Sequence, residues 1–193
     1  GLGSVYNRKG LYEKAEKFYR QALEDKTPQN SKYSFPIAHL NLGEVYGKTG
    51  KISLAIKEWK KAIEQDPSLL PAHFNLGTAF MMQGELDLAE KYLLKCLEMN
   101  NKHEPALYNL ALVKQKQMNW QDSIKRFNNY MEVTGDRASA LRQIGINYLS
   151  LKEWTKAQSF FEKSLSILPT DMNTLILLGD AFLAKGHVRR AEE

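Results

Sequence analysis

The chain is short of the features that usually announce a mechanism. It has a single cysteine, Cys96, in 193 residues, so no internal disulfide can form and stability must come from packing. No apolar run approaches the roughly 20 residues that a helix needs to cross a bilayer. The opening residues, GLGSVYNRKG, lack the charged-then-apolar order of a secretory signal, and a cytoplasmic setting is favoured. No G-x-x-x-x-G-K-S/T, H-E-x-x-H or G-x-S-x-G occurs, and no Gly-rich phosphate loop. Charge of one sign is scarce too. The formal net charge is +5, from 27 Lys and Arg against 22 Asp and Glu, and segments such as KEWKKAIEQD mix the signs. A nucleic-acid or acidic-membrane binder would concentrate its cations, so neither partner is expected. What remains, 43% hydrophobic and 25% charged, is the composition of a globular chain.

What is present is repetition. Residues 38–43 read AHLNLG, 72–77 read AHFNLG and 106–111 read ALYNLA. Aligned on the small residue that follows the Leu, the series runs Gly43, Gly77, Ala111, Gly145 and Gly179, each 34 residues after the one before. An earlier copy at Gly3 lies 40 residues before Gly43, so about six extra residues separate the first two copies. The polar, turn-prone stretch TPQNSKYSF, residues 27–35, can hold them. Within 36–69, His39, Leu42, Gly43 and Tyr46 recur at steps of three and four, one face of a helix. Thr49-Gly50 breaks the pattern. A second helical face follows with Ile52, Ala55, Ile56, Trp59, Ala62 and Ile63, ending at Asp66-Pro67 because the residue before Pro disfavours helix. Two antiparallel helices joined by a short turn are expected in each unit.

The pattern resembles the tetratricopeptide repeat family, whose signature places a bulky residue, Leu-Gly, Tyr, Ala, an aromatic and Pro at fixed offsets. Here those places hold His39, Leu42, Gly43, Tyr46, Ala55, Trp59 and Pro67, and again Leu141, Ile144, Gly145, Tyr148, Ala157, Phe161 and Pro169. The unit 70–103 carries His73, Leu76, Gly77, Phe80, Ala89 and Leu93, with Cys96 in a small-residue slot. The unit 104–137 is degenerate: Lys114 replaces the aromatic, Ser123 the Ala and Tyr130 the second small residue. The resemblance implies an all-α solenoid of helix-turn-helix units in a right-handed superhelix. Its divisions are a partial repeat (1–29), an insertion loop (30–35), repeats at 36–69, 70–103, 104–137 and 138–171, and a truncated repeat (172–193). The glycines would let paired helices approach, with Tyr46 and Trp59 filling space between units. Both ends read as cut, so the chain is expected to be a piece of a longer protein.

The resemblance also implies that first helices line a concave groove and that the residue two before each Gly faces it. Asn41, Asn75 and Asn109 would then form a ladder, continued by Gln143 and ended by Leu177. A carboxamide carries both donor and acceptor and can pair with any peptide backbone, an arrangement similar to the asparagine ladder of O-linked N-acetylglucosamine transferase repeats. A carboxylate clamp of the co-chaperone kind would need cations just before each ladder residue. Those places hold Leu40, Phe74, Tyr108 and Arg142, so only Arg142 is available and the clamp is disfavoured. Phe74, Tyr108, Met81 and Met82 are candidates for side-chain selection in the groove, whereas Leu112 fits packing between helices. His39 and His73 occupy equivalent bulky slots without ligand-spaced Cys or carboxylates. His103 and His187 fall at turns, and Cys96 sits in a buried small slot without a nearby base. No cofactor or metal site is expected. The expected function is a non-enzymatic module that binds an extended peptide or protein segment. Two other readings stay open: the recruiting arm of an enzyme whose catalytic domain lies elsewhere, and a scaffold that self-associates through its repeat ends.

Overall fold

The computed structural model describes residues 1–24 and 34–186, which form eleven helices and no strand. Two compact units divide the chain, residues 1–101 and 102–193. The first holds α1 (Leu2–Arg8), α2 (Tyr12–Glu24), α3 (Ser34–Lys48), α4 (Ile52–Gln65), α5 (Leu70–Gln83) and α6 (Leu86–Met99). The second holds α7 (Glu104–Lys116), α8 (Trp120–Thr134), α9 (Arg137–Ser150), α10 (Trp154–Ile167) and α11 (Met172–Ala184). In the first unit α1 pairs with α2, α3 with α4 and α5 with α6; in the second, α7 pairs with α8 and α9 with α10. Helix α3 starts at Ser34, so residues 34 and 35, assigned above to the insertion, belong to its first turn; residues 30–33 and His187 lie outside the described residues.

Each hairpin turns through one residue in the left-handed region. Gly10, Gly50 and Gly84 hold that place in the first unit with φ of 73°, 75° and 81°, and Met118 and Lys152 hold it in the second with φ of 59° and 58°. An L-residue with a Cβ pays a steric penalty there that glycine avoids. The close approach beyond the turn is equally specific. A Cβ at Gly43 would meet the Trp59 indole and one at Gly145 the Phe161 ring; at Gly77 it would come to 2.7 Å from Leu93 Cγ. In these three hairpins the second helix thus lays Trp59, Leu93 or Phe161 across the small residue of the first. Trp59 packs on the first helix of its own hairpin, its indole N–H donating to Leu40 O at 3.2 Å. Tyr46 does reach back a repeat: its hydroxyl donates to Glu16 Oε1 at 3.1 Å and accepts from Arg20 Nη2 at 2.8 Å.

Polar side chains in buried small slots are held by one recurring bond. The Cys96 thiol donates to Leu70 O at 3.7 Å and the Ser164 hydroxyl to Ala138 O at 2.8 Å, each tying a second helix to the start of its partner. Burial pushes the Cys96 thiol up to about 12, which leaves it protonated and inert as a nucleophile. The degenerate repeat departs further. Ser123 donates to Ala111 O at 2.9 Å, Asn147 Nδ2 donates to Ser123 Oγ at 2.9 Å, and Gln115 Nε2 donates to Asn147 Oδ1 at 2.8 Å. This chain lies beside the apolar cluster of Ala111, Ile124, Phe127, Ala140 and Ile144. Asn147 is fully buried, so its amide depends on those partners.

Candidate functional site

The first helices carry the residues singled out by the repeat. In the first unit Asn41 on α3 and Asn75 on α5 are both half-buried, as are Phe74 and Met81, while Met82 is 72% exposed. The helical period explains the split: Leu42, Gly43, Leu76 and Gly77 take the hairpin interior and are buried, which turns the preceding Asn off that face. Met82, at the last turn of α5 before Gly84, offers an adaptable apolar tip to solvent.

In the second unit the same register is more heavily tied down. The Tyr108 ring packs edge-on against Phe127 (centroids 5.4 Å apart, 72° between planes) and Tyr130 (5.2 Å, 63°). Its body therefore belongs to the hairpin core. Gln143 on α9 donates from Nε2 to that hydroxyl at 3.3 Å. Asn109 is half-buried. Arg142 makes an ion pair with Asp171 at 2.6 Å, and Asp171 also accepts from Thr174 Oγ1 at 2.6 Å as the residue preceding α11. Hydrogen bonding from Thr174 and then Arg142 outweighs partial desolvation and holds the Asp171 carboxyl below its usual range. Arg142 thus joins two first helices, and Leu112 packs on the core cluster.

The histidines have assigned structural partners. His39 Nδ1 lies 2.6 Å from Glu58 Oε2, with both residues buried. Burial alone would raise the Glu58 carboxyl, but hydrogen bonds from Lys61 and His39 prevail and hold it below its ordinary value. The pair lines a cleft of about 620 Å³ with Arg20, Leu42, Leu54 and Lys61, a feature that nothing in the repeat pattern signalled. His73 Nε2 donates to Pro67 O at 3.0 Å, and His103 accepts from Ala106 N as the cap of α7. Among the described residues no three His, Cys, Asp or Glu side chains converge to hold a metal ion, and no helix is long and apolar enough to cross a membrane.

The Gln115–Asn147–Ser123 chain was missed from sequence, although a signal exists. Ser123 stands 34 residues after Ala89, and Asn147 stands 34 after Val113. Two apolar slots thus turn polar together, as the partners of a buried hydrogen bond must.

A family model described as the cilia and flagella-associated protein 70 C-terminal domain matches residues 1–193. No curated protein matches the chain. Among solved structures, a tetratricopeptide repeat protein from Parabacteroides merdae is similar with a TM-score of 0.87 at 19% identity, over 99% of this chain and 73% of its own. MamA is similar at 0.77 and 24% identity, over 86% and 94%. YrrB, a TPR protein with an unusual peptide-binding site, is similar at 0.69 and 17% identity, over 90% and 86%. These structures share the helical repeat fold with the hairpins described above. The chain belongs to the cilia and flagella-associated protein 70 C-terminal domain family, an all-α array of tetratricopeptide repeats.

Proposed function

We propose that the chain is a protein-interaction module whose first helices hold an extended peptide or partner segment. The observation that carries this reading is the placement of Asn41 and Asn75: same register in successive repeats, half-buried, and turned off the hairpin interior. A half-buried carboxamide is partly desolvated before binding, so a peptide unit that supplies its donor and acceptor loses little in exchange. Phe74, Met81 and Met82 add an adaptable apolar surface in the first unit, and Asn109, Tyr108 and Gln143 provide polar contacts in the second. YrrB, similar in fold, is a TPR protein with an unusual peptide-binding site, which supports the reading. The family description makes cilia and flagella the place to seek the partner.

The test is the triple change of Asn41, Asn75 and Asn109 to Ala in the full chain. Partners are captured on the unchanged chain, mapped to peptides by cross-linking, and titrated against both forms. Loss of binding with an unchanged melting temperature supports the proposal; equal affinities would sink it.

A further inference from the structure

The hydroxyl of Tyr108 and the carboxamide of Gln143 form a side-chain pair between α7 and α9. The Tyr108 oxygen accepts from Gln143 Nε2 at 3.3 Å, and among the described residues its own hydrogen meets no acceptor. The Gln143 oxygen likewise meets no donor among them. The pair therefore has one donor and one acceptor to spare, both on half-buried residues. A single peptide unit presents the complement, a C=O that accepts and an N–H that donates. Building on the peptide-binding reading above, we infer that Tyr108 and Gln143 together read one peptide unit of the bound segment through two hydrogen bonds.

Three further observations carry this assignment. The Tyr108 ring is wedged against Phe127 and Tyr130, so the hydroxyl is held on a rigid mount. Gln115 Nε2 bonds Asn147 Oδ1 at 2.8 Å and lies 3.5 Å from Gln143 O, pinning α7 to α9 beside the pair. A site fixed before the ligand arrives gives up less ordering entropy on binding. The residue types also fit. Leu40 and Phe74, which precede Asn41 and Asn75, have no hydroxyl, and their neighbours are the shorter Asn; only where Tyr108 supplies a hydroxyl on the preceding first helix does the longer Gln143 stand in the ladder register. Tyr108 thus acts through its oxygen, not through a side-chain pocket.

The experiment starts from a random dodecamer peptide pool selected on the full chain. Binding of the selected peptide is titrated against the unchanged chain, Tyr108→Phe, Gln143→Ala, the double variant and the triple Asn variant. Each backbone amide of the peptide is then replaced in turn by an ester, which removes one N–H. Tyr108→Phe keeps the ring and its packing, so thermal unfolding should be unchanged while affinity falls about 3- to 10-fold, the worth of one neutral hydrogen bond. The double variant should lose less than the product of the single losses, because the two groups act as one reader. One ester position should weaken binding to the unchanged chain and have little effect on the double variant. If the Asn variant loses the peptide but Tyr108→Phe and Gln143→Ala do not, the inference is overturned and the peptide-binding reading stands. If no peptide is selected at all, both fall.

Discussion

The buried bond between Ser123 and Asn147 allows a sharp test of how this array is held together. Changing Ser123 to Ala removes the acceptor of the Asn147 amide, a group with no solvent exposure. It also removes the hydroxyl that donates to Ala111 O. Leaving a buried amide donor without a partner costs about 1–3 kcal/mol. Changing Asn147 to Val removes the polar group itself and restores the residue type found at Val45 and Val113 in the same slot. Ser123 then keeps its bond to Ala111 O, and the half-buried Gln115 amide can turn to water, so this loss should be smaller, about 0.5–1.5 kcal/mol. The double variant carries an apolar pair, as Ala55 and Ala79 do in the first unit, where both are buried. It should be more stable than Ser123→Ala alone by about 1 kcal/mol, giving a coupling of about 1.5–2.5 kcal/mol. For a chain of this length each kcal/mol moves the melting temperature by about 2–4 °C. Thermal melts of the four proteins, with urea midpoints as a second measure, complete the cycle. Strictly additive losses, or a Ser123→Ala change within about 0.5 kcal/mol of the parent, would refute the buried network as described.

Other changes follow from the same geometry. Gly145→Ala and Gly43→Ala should each destabilise by about 1–3 kcal/mol, because the new methyl meets the Phe161 or Trp59 ring and must push it aside; chemical denaturation would show an unchanged midpoint if the contact were slack. Met118→Gly and Lys152→Gly should stabilise or be neutral, by up to about 1 kcal/mol, since each relieves a left-handed L-residue at the cost of a freer unfolded chain; a clear loss in Tm would mean that the side chains do more than turn the hairpin. Glu58 is held below its ordinary value, so its contribution is present above the unfolded pKa and is lost as pH falls through the folded one. Glu58→Gln should therefore lower stability near neutral pH and flatten the decline below about pH 4.3, read from urea midpoints across that range. Cys96 should resist iodoacetamide at pH about 8 until the chain unfolds, because burial keeps its thiol protonated; rapid labelling of the folded chain would contradict its placement.

The hairpins were legible because they depend on spacing alone. Gly43, Leu42 and Trp59 recur at offsets that put them on facing helix surfaces, and the contact that follows needs no information from elsewhere in the chain. The inward face of the first helices was legible for the same reason, and Leu42-Gly43 and Leu76-Gly77 are buried on it. What each ladder residue then touches was not. Tyr108 looked like a side-chain selector, yet its ring is packed on Phe127 and Tyr130 and only its oxygen reaches Gln143. Arg142 was the one basic residue at the clamp positions, and Asp171, 29 residues on, takes its guanidinium.

By itself the sequence determined that this protein is an all-α array of 34-residue hairpins and which face of each first helix packs into its own hairpin. A helical period and a close-packing glycine are local requirements, and one strand of text contains them. Only the tertiary structure decided which polar groups are already used. The partners of Gln115, Gln143 and Asn147 lie 24 to 35 residues away on other helices. A hydrogen bond depends on distance and direction in space, so whether an amide is free for a ligand is settled by packing, not by spacing.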